Sequence, residues 1–302
     1  MADRPWHRSL IKTGARLLLG GSRAHAQDGF PGLNIVRSNG PGEVFYRRTK
    51  VADLSSADRL RKQSGWIIHL VGSGPSIRDC DLAELEKGSA ILLNGAIGLI
   101  GEQIAMPLAI AVEDERFVWR HSEMIMDKIR SGTICLFSVA VLRAISELDS
   151  RWLKDKTVIL IDDIRKPYGG RRRSVDESRG LDFVRLNTTG SAGFSFAPDR
   201  GVFQGGSVAV SALQFALYCL PTRIGFLGID ISNAHEPRFY ETSDETAFSG
   251  IARAEARILE HFVLAKQIAS ERGVTFVNHS PVSALLKYGF GYDARFAALS
   301  TI

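Results

Sequence analysis

Trp66-Ile67-Ile68-His69-Leu70-Val71-Gly72-Ser73-Gly74-Pro75-Ser76 is the stretch that decides how this chain is read. Residues 66–70 are a short, mostly apolar run and read as a buried β-strand. The strand breaks into Gly-x-Gly, where absent side chains let the backbone bend sharply and approach a ligand. Pro75 suits a first helical turn and Ser76 can bond a free N–H, so a helix start is expected there. That geometry suits a phosphate or a sugar. It is not a dinucleotide fingerprint, because Asp79 stands where the third glycine of GxGxxG belongs. A tight turn without a ligand is the competing reading.

Working outward, six more apolar runs read as strands: Ala90–Leu93, Pro107–Val112, Ile134–Phe137, Val158–Ile161, Arg223–Gly228 and Thr275–Val277. They stop at Asn94-Gly95-Ala96, Glu113-Asp114, Ser138, Asp162-Asp163, Ile229-Asp230 and Asn278-His279-Ser280. Strands alternating with helical patterns predict an α/β, Rossmann-like, mostly parallel sheet with helices on both faces. Ligands of such sheets bind beyond the carboxyl ends of the strands, where these polar residues gather.

Bulk properties set bounds. The chain has 302 residues, 45% hydrophobic and 24% charged, and a net charge of +5. No apolar run approaches the ~20 residues that span a bilayer. Cys80, Cys135 and Cys219 have neither metal-site nor disulfide spacing, which fits a reducing, cytoplasmic setting. The basic excess is compatible with an anionic substrate or a membrane surface, and no nucleic-acid motif accompanies it.

The excess is concentrated in residues 1–25, where Arg4, Arg8, Lys12, Arg16 and Arg23 are interleaved with Trp6, Leu10, Ile11, Leu17, Leu18 and Leu19. Residues 4–19 read as a basic amphipathic helix for an anionic lipid surface, peripheral on the inner membrane; a helix packed on the domain is the alternative. Residues 26–65 read as an irregular lead-in. The main domain is expected over 66–302, with a lid-like insertion at about 163–200 that holds Arg165, Lys166, Arg171, Arg172 and Arg173.

A second constellation lies at 201–240. Gly205-Gly206-Ser207 opens a helix running to about Leu220, and its uncovered N–H groups suit a phosphate or carboxylate. Ser207 as a plain helix cap is the simpler account. The next strand delivers Asp230, followed by His235 and Tyr240.

Strand-Gly-Ser-Gly-Pro-Ser, strand-Asn, Gly-Gly-Ser-Val-Ala, Leu-Gly-Ile-Asp, a Tyr ten residues on, and Ser-Pro-x-Ser-x-Leu, in this order, resemble small bacterial sialyltransferases. They are also similar to the core of motility-associated flagellin glycosyltransferases and domain-of-unknown-function 115 proteins. The resemblance covers roughly residues 66–115 and 200–290. It implies transfer of a sialic-acid-like or Kdo-type sugar acid from a CMP-activated donor to a glycan or lipid-linked acceptor, with no cofactor and no metal. Carried over residue by residue, Gly72, Ser73, Gly74, Pro75 and Ser76 surround the donor phosphate and ribose. Asn94 bonds the sugar or cytidine, Gly205, Gly206 and Ser207 meet the donor carboxylate or phosphate, and Asp230 and Tyr240 sit by the base and phosphate. The chain departs from the sialyltransferase pattern around Arg253 to Arg257, where the expected general-base histidine is missing.

The remaining candidates for that base are His235 and His279, which follow strand ends; His261 falls inside a helical apolar pattern and reads as structural. A retaining mechanism would need a carboxylate nucleophile instead, from Glu113, Asp114 or Asp230. Two other classes stay open. A pterin-type pyrophosphokinase of the domain-115 kind would use Glu113-Asp114 and Asp162-Asp163 as metal ligands. A non-catalytic nucleotide-binding protein at the membrane would bind without turnover.

Overall fold

The computed structural model describes residues 4–37, 40–231, 238–239 and 251–298. The chain begins with α1 (His7–Arg23), followed by a three-stranded antiparallel sheet of β1 (Leu33–Val36), β2 (Glu43–Tyr46) and β3 (Thr49–Asp53), then the short α2 (Asp58–Gln63). Residues 26–65 are thus more regular than their composition predicts. The strands are only four or five residues long, and Gly32 and Gly42, both at positive φ, turn the chain around them. Leu33, Ile35, Val44 and Tyr46 alternate inward onto the main sheet.

The main sheet is built from β4 (Ile67–Val71), β5 (Ala90–Leu93), β6 (Ala109–Val112), β7 (Ile134–Ser138), β8 (Thr157–Ile161), then β11 (Arg223–Leu227) and β12 (Thr275–Asn278). These are the seven runs read from sequence. They lie in the order β12-β11-β4-β5-β6-β7-β8, and every pairing is parallel. Helices α3 (Glu115–Arg120), α4 (Ser122–Lys128) and α5 (Val139–Leu148) cover one face. α7 (Val208–Tyr218) and α8 (Ile251–Glu271) cover the other. Leu70, Leu93 and Ala111 face α7 and α8, while their neighbours Val71, Leu92 and Val112 face α3 and α5. Burial on both faces explains why these strands are continuous apolar runs.

Between β8 and α7 the insertion folds as α6 (Val175–Arg179) and the hairpin of β9 (Val184–Leu186) and β10 (Gly193–Ser195). α6 starts in a capping box of Ser174 and Glu177, and Ile164, Phe183 and Phe203 form a small core of their own. Buried Gln214 on α7 pins the insertion down. Its Oε1 accepts from Ser195 N and Phe203 N, both at 3.0 Å, and its Nε2 donates to Phe203 O at 2.8 Å and Val210 O at 2.9 Å. The insertion is therefore docked on the domain by a fully satisfied amide.

α1 is held by one fully buried side chain, Arg8. Its Nε donates to Glu115 Oε2 at 3.2 Å and its Nη2 donates to Gln27 O at 2.9 Å, while Nη1 bonds Phe30 O. Fully buried Arg143 of α5 bonds both Glu115 and Glu147. Arg8→Met removes one cation from this cluster and leaves Arg143 on Glu115. The expected cost is about 3 kcal/mol, the low end for a broken buried pair. Thermal denaturation should show a fall of roughly 5 °C or more; an unchanged Tm would mean that α1 is not docked through Arg8.

Candidate active site

The sheet order reverses direction at β4. The chain leaves β4 toward β5–β8 on one side and later returns to β11 and β12 on the other. The crevice beyond the carboxyl ends of β4 and β11 is the switch point at which open α/β sheets bind ligands.

Two tight segments meet there. Gly72 N donates to Leu227 O at 2.8 Å and Gly74 N donates to Gly228 O at 2.9 Å. A Cβ on Gly72 would collide with the Gly228 carbonyl, and one on Gly74 with the Asp230 carboxylate. Neither glycine has positive φ. The Gly-x-Gly pattern is therefore first a demand of strand-end packing. Pro75 opens the expected helix start as a five-residue 3-10 helix, Pro75–Asp79.

Asp230, 4% exposed, organises this junction. Its Oδ1 accepts from Ser76 Oγ and Ser280 Oγ, both at 2.6 Å, and its Oδ2 accepts from Ser76 N at 3.0 Å. Ser283 Oγ donates to Ile229 O at 2.7 Å and Ala284 N to Asp230 O at 3.1 Å. The Ser-Pro-x-Ser motif thus clamps the end of β11. The next residue, buried Ile231, is held at φ +59°, a strained region for a β-branched residue. Ser76 and Asp230, both expected against the donor, bond each other, and the Ser73 hydroxyl accepts from Arg238.

Two cationic groups that sequence reading passed over lie against the polar segments singled out there. Arg238 Nη1 donates to Ser73 Oγ at 3.2 Å. Arg257, in the region where the sialyltransferase pattern calls for histidine, donates from Nε to Gly205 O at 2.9 Å, and its guanidinium lies against Gly206. Gly205 and Gly206 have φ of +60° and +99°, and Ser207 caps α7, accepting from Ala209 N at 3.3 Å. The glycines let the backbone turn beneath the guanidinium. Asn94, at φ +48°, ends β5 with its Oδ1 buried and without a hydrogen-bond partner among the described residues.

The histidines divide differently from expectation. His279 is buried and its ring lies against Gly225, in the middle of β11, with Phe296 packed edge-on at 4.8 Å and His69 at 6.0 Å. Its Nδ1 bonds Asp293 O at 2.8 Å. The side chain turns back onto the sheet instead of out past the strand end, and burial lowers its pKa. Burial takes His69 down to about 3. His261 is structural, its Nδ1 bonded to Arg257 O at 2.8 Å on its own helix. His235 and Tyr240 lie outside the described residues.

Beyond β6, β7 and β8 lies a cleft of about 730 Å³, roofed by the N-terminal segment. Glu113, Asp114, Asp162 and Asp163 line it together with Lys166 and Tyr168. Asp114 takes a bidentate bond from Arg116, with distances of 2.7 and 2.9 Å to Oδ2. Asp162 accepts from Arg37 at 3.2 Å and Tyr168 N at 2.9 Å, and Asp163 accepts from Arg165 N at 2.9 Å. Among the described residues no three His, Cys, Asp or Glu side chains stand in metal-holding geometry. Glu113 alone of the four acids has a buried oxygen, Oε1, with no hydrogen-bond partner. Burial, reinforced by Asp163 and Asp114, pushes its pKa to about 8 against the pull of Ser211 and Lys166.

The chain is a glycosyltransferase that handles a sugar acid. The sequence model of the family described as 3-deoxy-D-manno-octulosonic acid transferase WaaZ matches residues 46–285, and the chain belongs to that family. Among solved structures it is similar to the sialyltransferase CstII from Campylobacter jejuni in complex with CMP-3FNeuAc. The identity is 11% over 78% of this chain and 89% of that one, with a TM-score of 0.39. A sialyltransferase CST-II structure with trisaccharide acceptor and CMP gives 10% identity over the same shares, with a TM-score of 0.37. No curated protein sequence matches the chain.

Asp230→Ala removes the acceptor of three hydrogen bonds and leaves the Ser76 and Ser280 hydroxyls facing a cavity. Charged-group hydrogen bonds contribute roughly 1.5–3 kcal/mol each, so ligand-free protein should melt several degrees lower. A variant that melts like the parent while losing only turnover would assign Asp230 to chemistry instead of architecture.

Proposed function

We propose that this chain transfers 3-deoxy-D-manno-octulosonic acid (Kdo) from CMP-Kdo to a hydroxyl of a glycan or lipid-linked acceptor of the lipopolysaccharide type, at the cytoplasmic face of the inner membrane. Family membership supports the sugar acid. The donor assignment is supported by three local features: Ser73 bonded by Arg238, the Gly205–Ser207 turn bonded by Arg257, and the unsatisfied Asn94 at the end of β5. CMP leaves as a phosphate monoester, and its developing charge requires preorganised donors. Arg257 and the N–H groups of Gly205 and Gly206 would supply them, together with Arg238 and the 72–76 turn. Asn94 Oδ1 would accept from a hydroxyl of the sugar or ribose. The chemistry assigned here runs on these side chains without a cofactor. The pyrophosphokinase alternative relied on Glu113, Asp114, Asp162 and Asp163, of which the last three are already engaged by protein donors.

Isothermal titration of the full chain with CMP tests the donor site. Arg257→Ala and Asn94→Ala should each weaken binding by about tenfold or more, the worth of one charged or buried hydrogen bond. Undiminished binding by both variants would put the nucleotide elsewhere.

The membrane assignment rests on α1. Arg8 faces the protein, but Trp6, Leu17 and Leu18 are 77%, 79% and 87% exposed beside Lys12 and Arg16. An exposed apolar stripe flanked by cations suits the interface of an anionic bilayer. No helix among the described residues is long and apolar enough to cross one. Vesicles rich in anionic lipid should float the parent, and a Trp6→Ser, Leu17→Ser, Leu18→Ser variant should stay behind. Equal flotation of the two would reject α1 as the anchor.

A further inference from the structure

We propose that the acceptor occupies the cleft beyond β6, β7 and β8, and that Glu113 takes the proton from its attacking hydroxyl. The proposal rests on the transferase reading above and assigns the half of the reaction that the donor crevice leaves open.

Position is the first argument. Leu93 of β5 pairs with Ala111 of β6, so Asn94 lies beside Val112 and Glu113 is the next residue. The donor crevice and the cleft therefore meet where these two side chains stand. An acceptor in the cleft reaches the donor's sugar past Glu113.

Unsatisfied hydrogen bonding is the second. Asn94 Oδ1 and Glu113 Oε1 are both buried without a partner among the described residues. Buried polar atoms in native proteins are nearly always paired. Two orphan acceptor oxygens at one strand boundary call for hydroxyl donors, which sugars carry in abundance. Asp114, Asp162 and Asp163 have donors on their carboxylates, whereas Glu113, with Ser211 bonded to its carboxyl, keeps Oε1 open.

The character of the cleft is the third. Its walls are polar and of mixed sign, with Lys12, Arg116 and Lys166 among the acids and Tyr168 as an aromatic surface. Such a lining suits a hydroxyl-rich glycan bearing acidic groups. Its roof is the segment after α1, Ala26–Phe30, so a lipid-linked acceptor would arrive from the side on which α1 shows its apolar stripe.

The step balances without a co-reactant. The bond between the anomeric carbon and the phosphate oxygen breaks, and its electron pair leaves with CMP. The acceptor oxygen bonds to that carbon, and its proton passes to the Glu113 carboxylate and from there to water. The groups facing Glu113 are Asp114 on its own loop, Asp163 and Lys166 beyond β8, and Ser211 on α7. A carboxyl held near pKa 8 is a strong base once ionised. Turnover should therefore rise with pH and level off above about 8. Asp28, also lining the cleft, is held at about 6 by burial and by Glu115, so its titration falls well below that range.

The experiment compares the full-length parent, Glu113→Gln and Glu113→Asp. CMP release from CMP-Kdo is measured across pH with a lipopolysaccharide core oligosaccharide as acceptor, alongside calorimetric binding of CMP. Glu113→Gln should lose at least about 100-fold in kcat while binding CMP as the parent does. The rise toward pH 8 should disappear with it, and Glu113→Asp should recover part of the turnover. A Glu113→Gln variant within tenfold of the parent overturns the proposal, as does a Kdo adduct on Glu113 found by mass spectrometry. So does loss of turnover in His235→Ala with Glu113→Gln unaffected. A parent that neither binds CMP nor releases it from CMP-Kdo removes the transferase reading itself, a result distinct from all of these.

Discussion

One buried carboxylate holds the site together. Asp230 ties the turn after β4 to the end of β11 and to the serines after β12. Those three segments end neighbouring strands, and each would otherwise finish in a loop free to splay. The cost is visible in its surroundings: two glycines where any Cβ would collide, and a buried isoleucine at positive φ. With the junction fixed, Ser73 acquires a defined position beneath Arg238. The crevice is preorganised by packing and by these hydrogen bonds.

The sheet was legible in the sequence because each strand is buried on both faces and leaves an unbroken apolar run. The seven runs and their polar ends survive as β4–β8, β11 and β12. The lead-in was not legible, since strands of four residues between glycines carry too little pattern to stand out from a loop. The glycines of 72–74 were found for a partly mistaken reason. They were read as room for a ligand, and their Cβ positions are filled by Gly228 and Asp230. His279 shows a different limit. A residue just past a strand points to either face, and Gly225 opens a space on the sheet into which the ring folds. Arg238 and Arg257 passed unnoticed because an arginine in sequence looks like any other surface charge until the fold places it over a glycine turn. The gap left by the missing histidine near 253–257 was the one signal that pointed toward Arg257.

The carboxyl edge of the sheet divides into two halves with different chemistry. The β4–β11 half carries Ser73 beneath the Arg238 guanidinium, suited to an anion. The β6–β8 half presents carboxylates, lysine and a tyrosine, suited to hydroxyls. Asn94 and Glu113 stand at the boundary with unsatisfied oxygens. The N-terminal segment covers the second half and is itself fastened by Arg8 and Glu115, so α1 and the acid-lined cleft are mechanically one unit. That arrangement links the apolar stripe on α1 to the cleft without requiring any part of the chain to move.

A crystal structure of the protein soaked with CMP tests the central claim most directly. The account predicts the nucleotide at the carboxyl ends of β4 and β11, its phosphate within hydrogen-bond reach of Arg257 and the Gly205–Ser207 N–H groups. CMP seated in the acid-lined cleft beyond β6–β8, or away from the sheet edge altogether, would contradict it.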